Sequence, residues 1–281
     1  MTKKKKIITG IGILAAIAAI IFLFDHLMYV NTDDAQVEAH SVMLSPKVPG
    51  YLVAVNVNEG QSVKKGDVLV EIDGRDYQNT LTQIKGDLTS VEARRRDTER
   101  NYQRLSQLFN SGAVSRQQFD SATASYSESK AKFDAISAQV AQAQLNLDNT
   151  KIRAPSDGFI AKRSAEIGQL AAAGVPLLGF VDAGERWVIA NFKETQISDI
   201  RVGAPVKIDV DAIAGSFHGK VVSLSSATGA TFSLLPPDNA TGNFTKVVQR
   251  VPVKIEIQDL NPSQVEALRA GLSANIKVSK H

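Results

Sequence analysis

The chain has 281 residues, 43% of them hydrophobic and 22% charged, a length that allows two or three domains. It contains no cysteine, which excludes disulfides, a thiol nucleophile, a thiolate metal site and a lipid carried on an N-terminal Cys. The formal net charge is +3; Lys3–Lys6 together with Asp25 account for all of it, so nucleic-acid binding gets no support.

Ile7 to Phe24 is an apolar run interrupted only by Thr9 and small residues. Its length fits a short transmembrane helix, and the lysines ahead of it predict a cytoplasmic N-terminus. Ala16-Ile17-Ala18 resembles a signal-peptide cleavage site, but the apolar run continues beyond it, which favours an uncleaved anchor. Either way, everything after Val30 is expected outside the cytoplasm.

Residues 31–75 read as a linker strand and a first β-rich half: Leu44 to Leu52, then turns at Glu59-Gly60-Gln61 and Lys65-Gly66-Asp67, then Val70 to Ile72. Residues 76–150 change period. Tyr77, Leu81, Ile84, Leu88, Val91, Arg95, Thr98, Tyr102 and Leu105 alternate steps of four and three. After Asn110-Ser111-Gly112-Ala113 the pattern resumes at Phe119, Ala122, Tyr126, Ser129, Phe133, Ile136, Val140, Ala143 and Leu147. A sustained period of 3.5 predicts a coiled-coil seam.

Folding back at Gly112 pairs Tyr102 with Ala122, Thr98 with Tyr126 and Arg95 with Ser129, so that large side chains mostly face smaller ones. Gly112 suits a left-handed helix end, and Ser115 with Gln118 forms a capping box. The expected element is an antiparallel α-hairpin, each helix roughly 50 Å long at about 1.5 Å per residue.

Residues 151–183 repeat the first half. Gly158, Gly168 and Gly174 match Gly50, Gly60 and Gly66 at one constant offset, and Gln169 matches Gln61. Two such halves resemble those of a biotinyl/lipoyl carrier domain. A carrier needs a modifiable lysine in the turn joining its halves; here that junction reads Ile72-Asp73-Gly74-Arg75-Asp76 and enters the hairpin, which disfavours a carrier.

Residues 184–281 predict strands at Trp187–Phe192, Val206–Val210, Gly219–Leu224, Val247–Ile257 and Ala274–Val278. Helical turns are expected at Thr195–Ile200 and Pro262–Leu268, the whole forming a small β-barrel with a membrane-proximal region. The loop from Ala227 to Lys246 is long; its Phe232, Leu234 and Leu235 are candidates for contact with a transporter or a neighbouring subunit. Alternatively, they fold back to plug the barrel.

His26, His40, His218 and His281 are scattered without metal-ligand spacing, and Gly215–Lys220 fails the phosphate-loop pattern. Asp33-Asp34 and Asp209/Asp211 read as turn and strand-surface carboxylates. No enzyme activity and no cofactor are expected.

The order of anchor, lipoyl-like half, α-hairpin, second half and β-rich C-terminus resembles the bacterial membrane fusion (periplasmic adaptor) proteins, the HlyD family. Asn191-Phe192-Lys193-Glu194-Thr195, Ala227 to Phe232, Leu234 to Pro237, Asn239 to Lys246 and Gln249 to Ile255 are similar to the EmrA-type adaptors. The resemblance implies a mixed α and β, elongated, multidomain chain anchored in the inner membrane with its bulk in the periplasm. Its implied role is to link a major-facilitator transporter to a TolC-like outer-membrane channel in a tripartite multidrug efflux pump. Arg104, Leu108 and Ser115 match the family's tip pattern for docking on that channel. Several copies, a hexamer or trimer of dimers, would form a conduit. Export of a polypeptide or polysaccharide is the alternative cargo.

Overall fold

The computed structural model describes residues 27–232 and 247–280. The expected anchor, Ile7–Phe24, lies outside the described residues, and among those described no helix is long and apolar enough to cross a membrane. Strands β1 (Tyr29–Thr32), β2 (Ala35–Leu44), β3 (Gly50–Val55), β4 (Ser62–Val63) and β5 (Val68–Ile72) precede two long helices, α1 (Arg75–Asn110) and α2 (Arg116–Asp148). Then come β6 (Lys151–Arg153), β7 (Gly158–Arg163), β8 (Leu170–Ala171), the long β9 (Leu178–Lys193) and a 3-10 turn at Glu194–Asp199. The chain continues through β10 (Pro205–Val210), β11 (Ser216–Leu224), a second 3-10 turn at Gly229–Phe232, β12 (Arg250–Ile257), the short α3 (Pro262–Ala267) and β13 (Ala274–Ser279).

Two compact units result: Val42–Phe180, and Met1–Ser41 together with Val181–His281. Residues 31–40, expected as a linker strand, run from β1 into β2 and belong to the second unit. Val30, Ala35 and Val37 are buried there, and Val30 pairs with Val278 across β1 and β13. In the sequence Val30 merges with the end of the anchor run, while Ala35 and Val37 stand alone among polar residues.

The β part of the first unit is built twice, with the halves exchanged. Gly60 and Gly168 take left-handed φ values of 78° and 84°, a conformation that costs other residues roughly 1–2 kcal/mol. The Gly60 N–H donates to the Ile160 carbonyl at 2.7 Å, and the Gly168 N–H donates to the Leu52 carbonyl at 2.8 Å. Ile160 and Leu52 return bonds to the carbonyls of Gln61 and Gln169 at 3.0 and 2.9 Å. The two glutamine side chains close their turns alike, accepting the N–H of Asn58 and of Glu166.

Strand pairing follows the same exchange, with Val63 opposite Gly158 and Ala171 opposite Gly50. Equivalent side chains then meet in one core: Leu52 and Ile160, Leu69 and Leu177, Val70 and Leu178, Ile72 and Phe180, none more than 3% exposed. Each half completes the other's sheet and covers its apolar face.

The same unit carries the helical hairpin. None of the expected seam positions is exposed, and Leu81, Thr98, Ala122, Ser129 and Ala143 are buried. The layers, however, interdigitate. Tyr102, expected opposite Ala122, stacks on the residues either side of it, Phe119 at 5.9 Å and Tyr126 at 5.4 Å. Thr98 bonds to Ser129 rather than facing Tyr126, and Arg95 lies over the Phe133 ring at 4.9 Å rather than against Ser129. Two small hydroxyls satisfy one another in the dry seam, a partner Tyr126 would not supply in the same space. Arg95 Nε is buried with no hydrogen-bond partner among the described residues, so this band is less well satisfied than the apolar layers around it.

The second unit has the antiparallel strand order β1-β13-β10-β11-β12-β9. Burial alternates along β10, β11 and β13, as a period of two requires when one face is covered. Val188, Ala190, Phe192, Ile208, Val253, Ile255, Ile276 and Val278 form the core, each at most 1% exposed.

Candidate functional site

The hairpin tip is assembled by two complementary caps. At the end of α1, Gly112 takes φ 75°; its N–H donates to the Phe109 carbonyl at 3.0 Å, and that of Ala113 donates to the Leu108 carbonyl at 2.9 Å. This pair of bonds is a Schellman motif. At the start of α2 the Ser115 hydroxyl accepts the Gln118 N–H, while the Gln118 side chain accepts the Ser115 N–H at 3.1 Å. The turn therefore closes on its own local bonds and leaves its outer side chains available.

Arg104 and Leu108 lie one turn apart near the end of α1, and both are exposed, Leu108 at 39%. The Arg104 guanidinium donates to Asn101 Oδ1 at 3.0 Å, a neighbour on its own helix. Ser115 is exposed, but its hydroxyl is engaged in the cap, so its first task is to build the tip. Beneath these residues Phe109 stacks on Phe119 at 5.0 Å, extending the aromatic series through Tyr102 to Tyr126. Phe109 is absent from the expected seam, although it lies four residues after Leu105 and continues the same alternation.

The doubled β part carries a second surface feature. Tyr51, Val53, Ile167 and Leu170 are each more than half exposed, and Tyr51 pairs with Leu170 across β3 and β8. Their equivalents in the opposite half are Phe159, Ala161, Glu59 and Ser62. One face is thus apolar where its pseudo-equivalent is largely small or polar, an asymmetry that symmetry within the fold does not require.

The residues 40–182 match the model of the RND MFP barrel-sandwich hybrid domain. The "Multidrug export protein EmrA" of Haemophilus influenzae is 34% identical over an alignment that covers 95% of this chain and 80% of that protein. The chain belongs to the membrane fusion protein family. The "Multidrug export protein EmrA" of Escherichia coli is 31% identical, covering 89% of this chain and 76% of its own. A solved periplasmic adaptor protein EmrA shares the fold, with a TM-score of 0.51 at 18% identity over 90% of this chain and 99% of that one.

In this membrane fusion protein the turn where a carrier would hold its lysine is instead the root of the hairpin. The Asp73 carboxylate accepts the Arg75 N–H at 3.1 Å and the Arg75 guanidinium at 2.6–3.0 Å. Tyr77, one helical step on, donates its hydroxyl to the Pro49 carbonyl at 2.8 Å, tying α1 to the first half. Hydrogen bonding from the Arg75 side chain and backbone holds the Asp73 pKa down to about 2, against an ordinary 3.8. A depressed carboxylate contributes its stabilisation fully above pH 3.8 and loses it as pH falls toward 2. Carboxyl ¹³C shifts should place the Asp73 midpoint near 2 and move it back toward 3.8 in Arg75→Ala; a wild-type midpoint at 3.8 contradicts the clasp.

Of the loop candidates, Leu234, Leu235 and the Phe232 side chain lie outside the described residues; Phe232 ends the Gly229–Phe232 turn.

Proposed function

We propose that this chain is the periplasmic adaptor of a tripartite multidrug efflux pump. It is anchored in the inner membrane by Ile7–Phe24, with a cytoplasmic N-terminus, and links a major-facilitator transporter to a TolC-like outer-membrane channel. The observation that carries this reading is the self-capped tip of the hairpin, which presents Leu108 and Arg104 to solvent, in a family whose relatives include multidrug export proteins. Arg104, Leu108 and Ser115 form the channel-docking end; Phe232, Leu234 and Leu235 contact the transporter or a neighbouring subunit. Deleting the chain's gene in its host should sensitise the cells to several unrelated drugs, and the intact chain should restore tolerance. If the deletion instead stops secretion of one polypeptide and leaves drug tolerance unchanged, the cargo assignment is wrong.

Several copies stack laterally through the doubled β part. The apolar face of Tyr51, Val53, Ile167 and Leu170 supports this, because it differs from its pseudo-equivalent and so favours a head-to-tail contact that generates a ring. Leu170→Asp, at a position 60% exposed, should leave the fold intact and reduce self-association at least tenfold in analytical ultracentrifugation of the full chain. Unchanged self-association removes that face from the interface.

A further inference from the structure

We propose that the second unit carries a ligand site of its own, a cleft that takes an amphipathic organic anion, a medium-chain fatty carboxylate being the simplest example. The cleft has a volume of about 440 Å³, within the ~300–1,000 Å³ range of small-molecule sites. Its apolar wall comes from Val222, Ile257, Leu260 and Val265, and its polar groups from the middle of β9 and the C-terminal half of β12.

The strand register places three of these groups on one face. Trp187 lies opposite Glu256 across β9 and β12, and Lys254 lies two residues away on the same face. The Lys254 ammonium sits over the indole at 4.4 Å, and the indole N–H donates to Glu38 at 3.2 Å. The pairing of β11 with β12 shifts between Val221 and Ser223, and the intervening Val222 is 40% exposed. Val222 follows the outward-facing positions His218 and Lys220 of β11, which places it at the rim of the cleft.

The decisive group is Arg186. It lines the cleft yet is only 4% exposed. Its Nε donates to the Leu268 carbonyl at 3.0 Å, and one terminal nitrogen donates to the carbonyls of Asp182 and Glu185 at 2.7 and 3.1 Å. Those partners are neutral carbonyls, and no ion pair joins Arg186 to a carboxylate among the described residues. Asp182 acts on it through space while its Oδ1 accepts the Gly184 N–H at 2.6 Å. Glu256 is answered by Lys220 at 3.2 Å, and Glu185 is exposed. A buried cation without a contacting counter-charge is a costly arrangement that an anion in the cleft relieves. The carboxylate would approach Arg186 and Lys254 while the tail lies along Leu260 and Val265. The site is independent of the role of the hairpin tip.

Trp187 is the chain's single tryptophan, so its emission reports on the cleft alone. The full-length chain held in amphipol would be titrated with octanoate, octanol and octylammonium, whose equal tails control for partition into the amphipol. Octanoate should change the emission saturably, and the other two should not. Lys254→Glu and Val222→Glu, both outside the core, should weaken octanoate at least tenfold. Arg186→Gln should do the same if it remains folded by circular dichroism. No saturable response to octanoate, an equal response to octylammonium, or unchanged affinity in both Lys254→Glu and Val222→Glu overturns the proposal.

Discussion

Leu108→Asp should reduce drug tolerance to the level of cells lacking the chain, while the hairpin remains folded. Leu108 sits in the last turn of α1 with its side chain directed outward, 39% exposed, and its carbonyl already committed to the Ala113 N–H. Truncating or charging the apolar anchor at the centre of a docking surface typically costs about 2 kcal/mol or more, roughly thirtyfold in affinity. The effect on folding is smaller, because an acidic side chain near a helix C-terminus opposes the macrodipole by only ~0.3–1 kcal/mol. Leu108→Lys reverses the sign of that dipole effect and should abolish tolerance equally. If Lys restores function and Asp does not, helix stability rather than docking explains the loss. Arg104→Ala should produce a similar defect, since its only described side-chain bond is the local one to Asn101.

Leu69→Ala and Leu177→Ala should destabilise the first unit by nearly equal amounts. The two residues occupy equivalent places in the doubled β part and are 0% and 1% exposed. Removing a buried leucine side chain costs about 2–5 kcal/mol, the upper part of that range applying where surroundings cannot relax into the cavity. Because each half is stitched to the other by the Gly60–Ile160 and Gly168–Leu52 bonds, a cavity on either side loosens both. The double variant should lose most or all of a domain's ~5–15 kcal/mol and fail to fold. Urea unfolding followed by far-ultraviolet circular dichroism would measure this. A large loss for one substitution and almost none for the other would mean that the halves fold independently.

The hairpin and the doubled β part were legible for a physical reason: both rest on periodic constraints. A seam repeats every three or four residues whatever its chemistry, and a left-handed turn demands glycine at Gly60 and Gly168 alike. The caps at Gly112 and Ser115 are local and follow from a few adjacent residues. Contacts that depend on the rest of the chain were harder to read. Thr98 finds Ser129 only once side chains interdigitate across the seam. The placement of Val30 and Val37 in the core depends on β13 and Leu272, more than two hundred residues away. Arg186 and Lys254 are unremarkable charges until β9 and β12 set them around the same cleft. Similarly, the apolar face of Tyr51 and Leu170 emerges only from the pairing of β3 with β8, since both sit in apolar runs whose next members, Leu52 and Ala171, are buried.

Engagement of a distant channel by the hairpin tip is tested most directly by site-specific photocrosslinking in living cells. A photoreactive amino acid would be placed at Leu108 and, in a separate strain, at Gln78, which is exposed in the first turns of α1. The outer-membrane channel should be captured from position 108 and not from position 78. Equal capture from both positions, or capture from neither while tolerance is intact, would contradict tip docking.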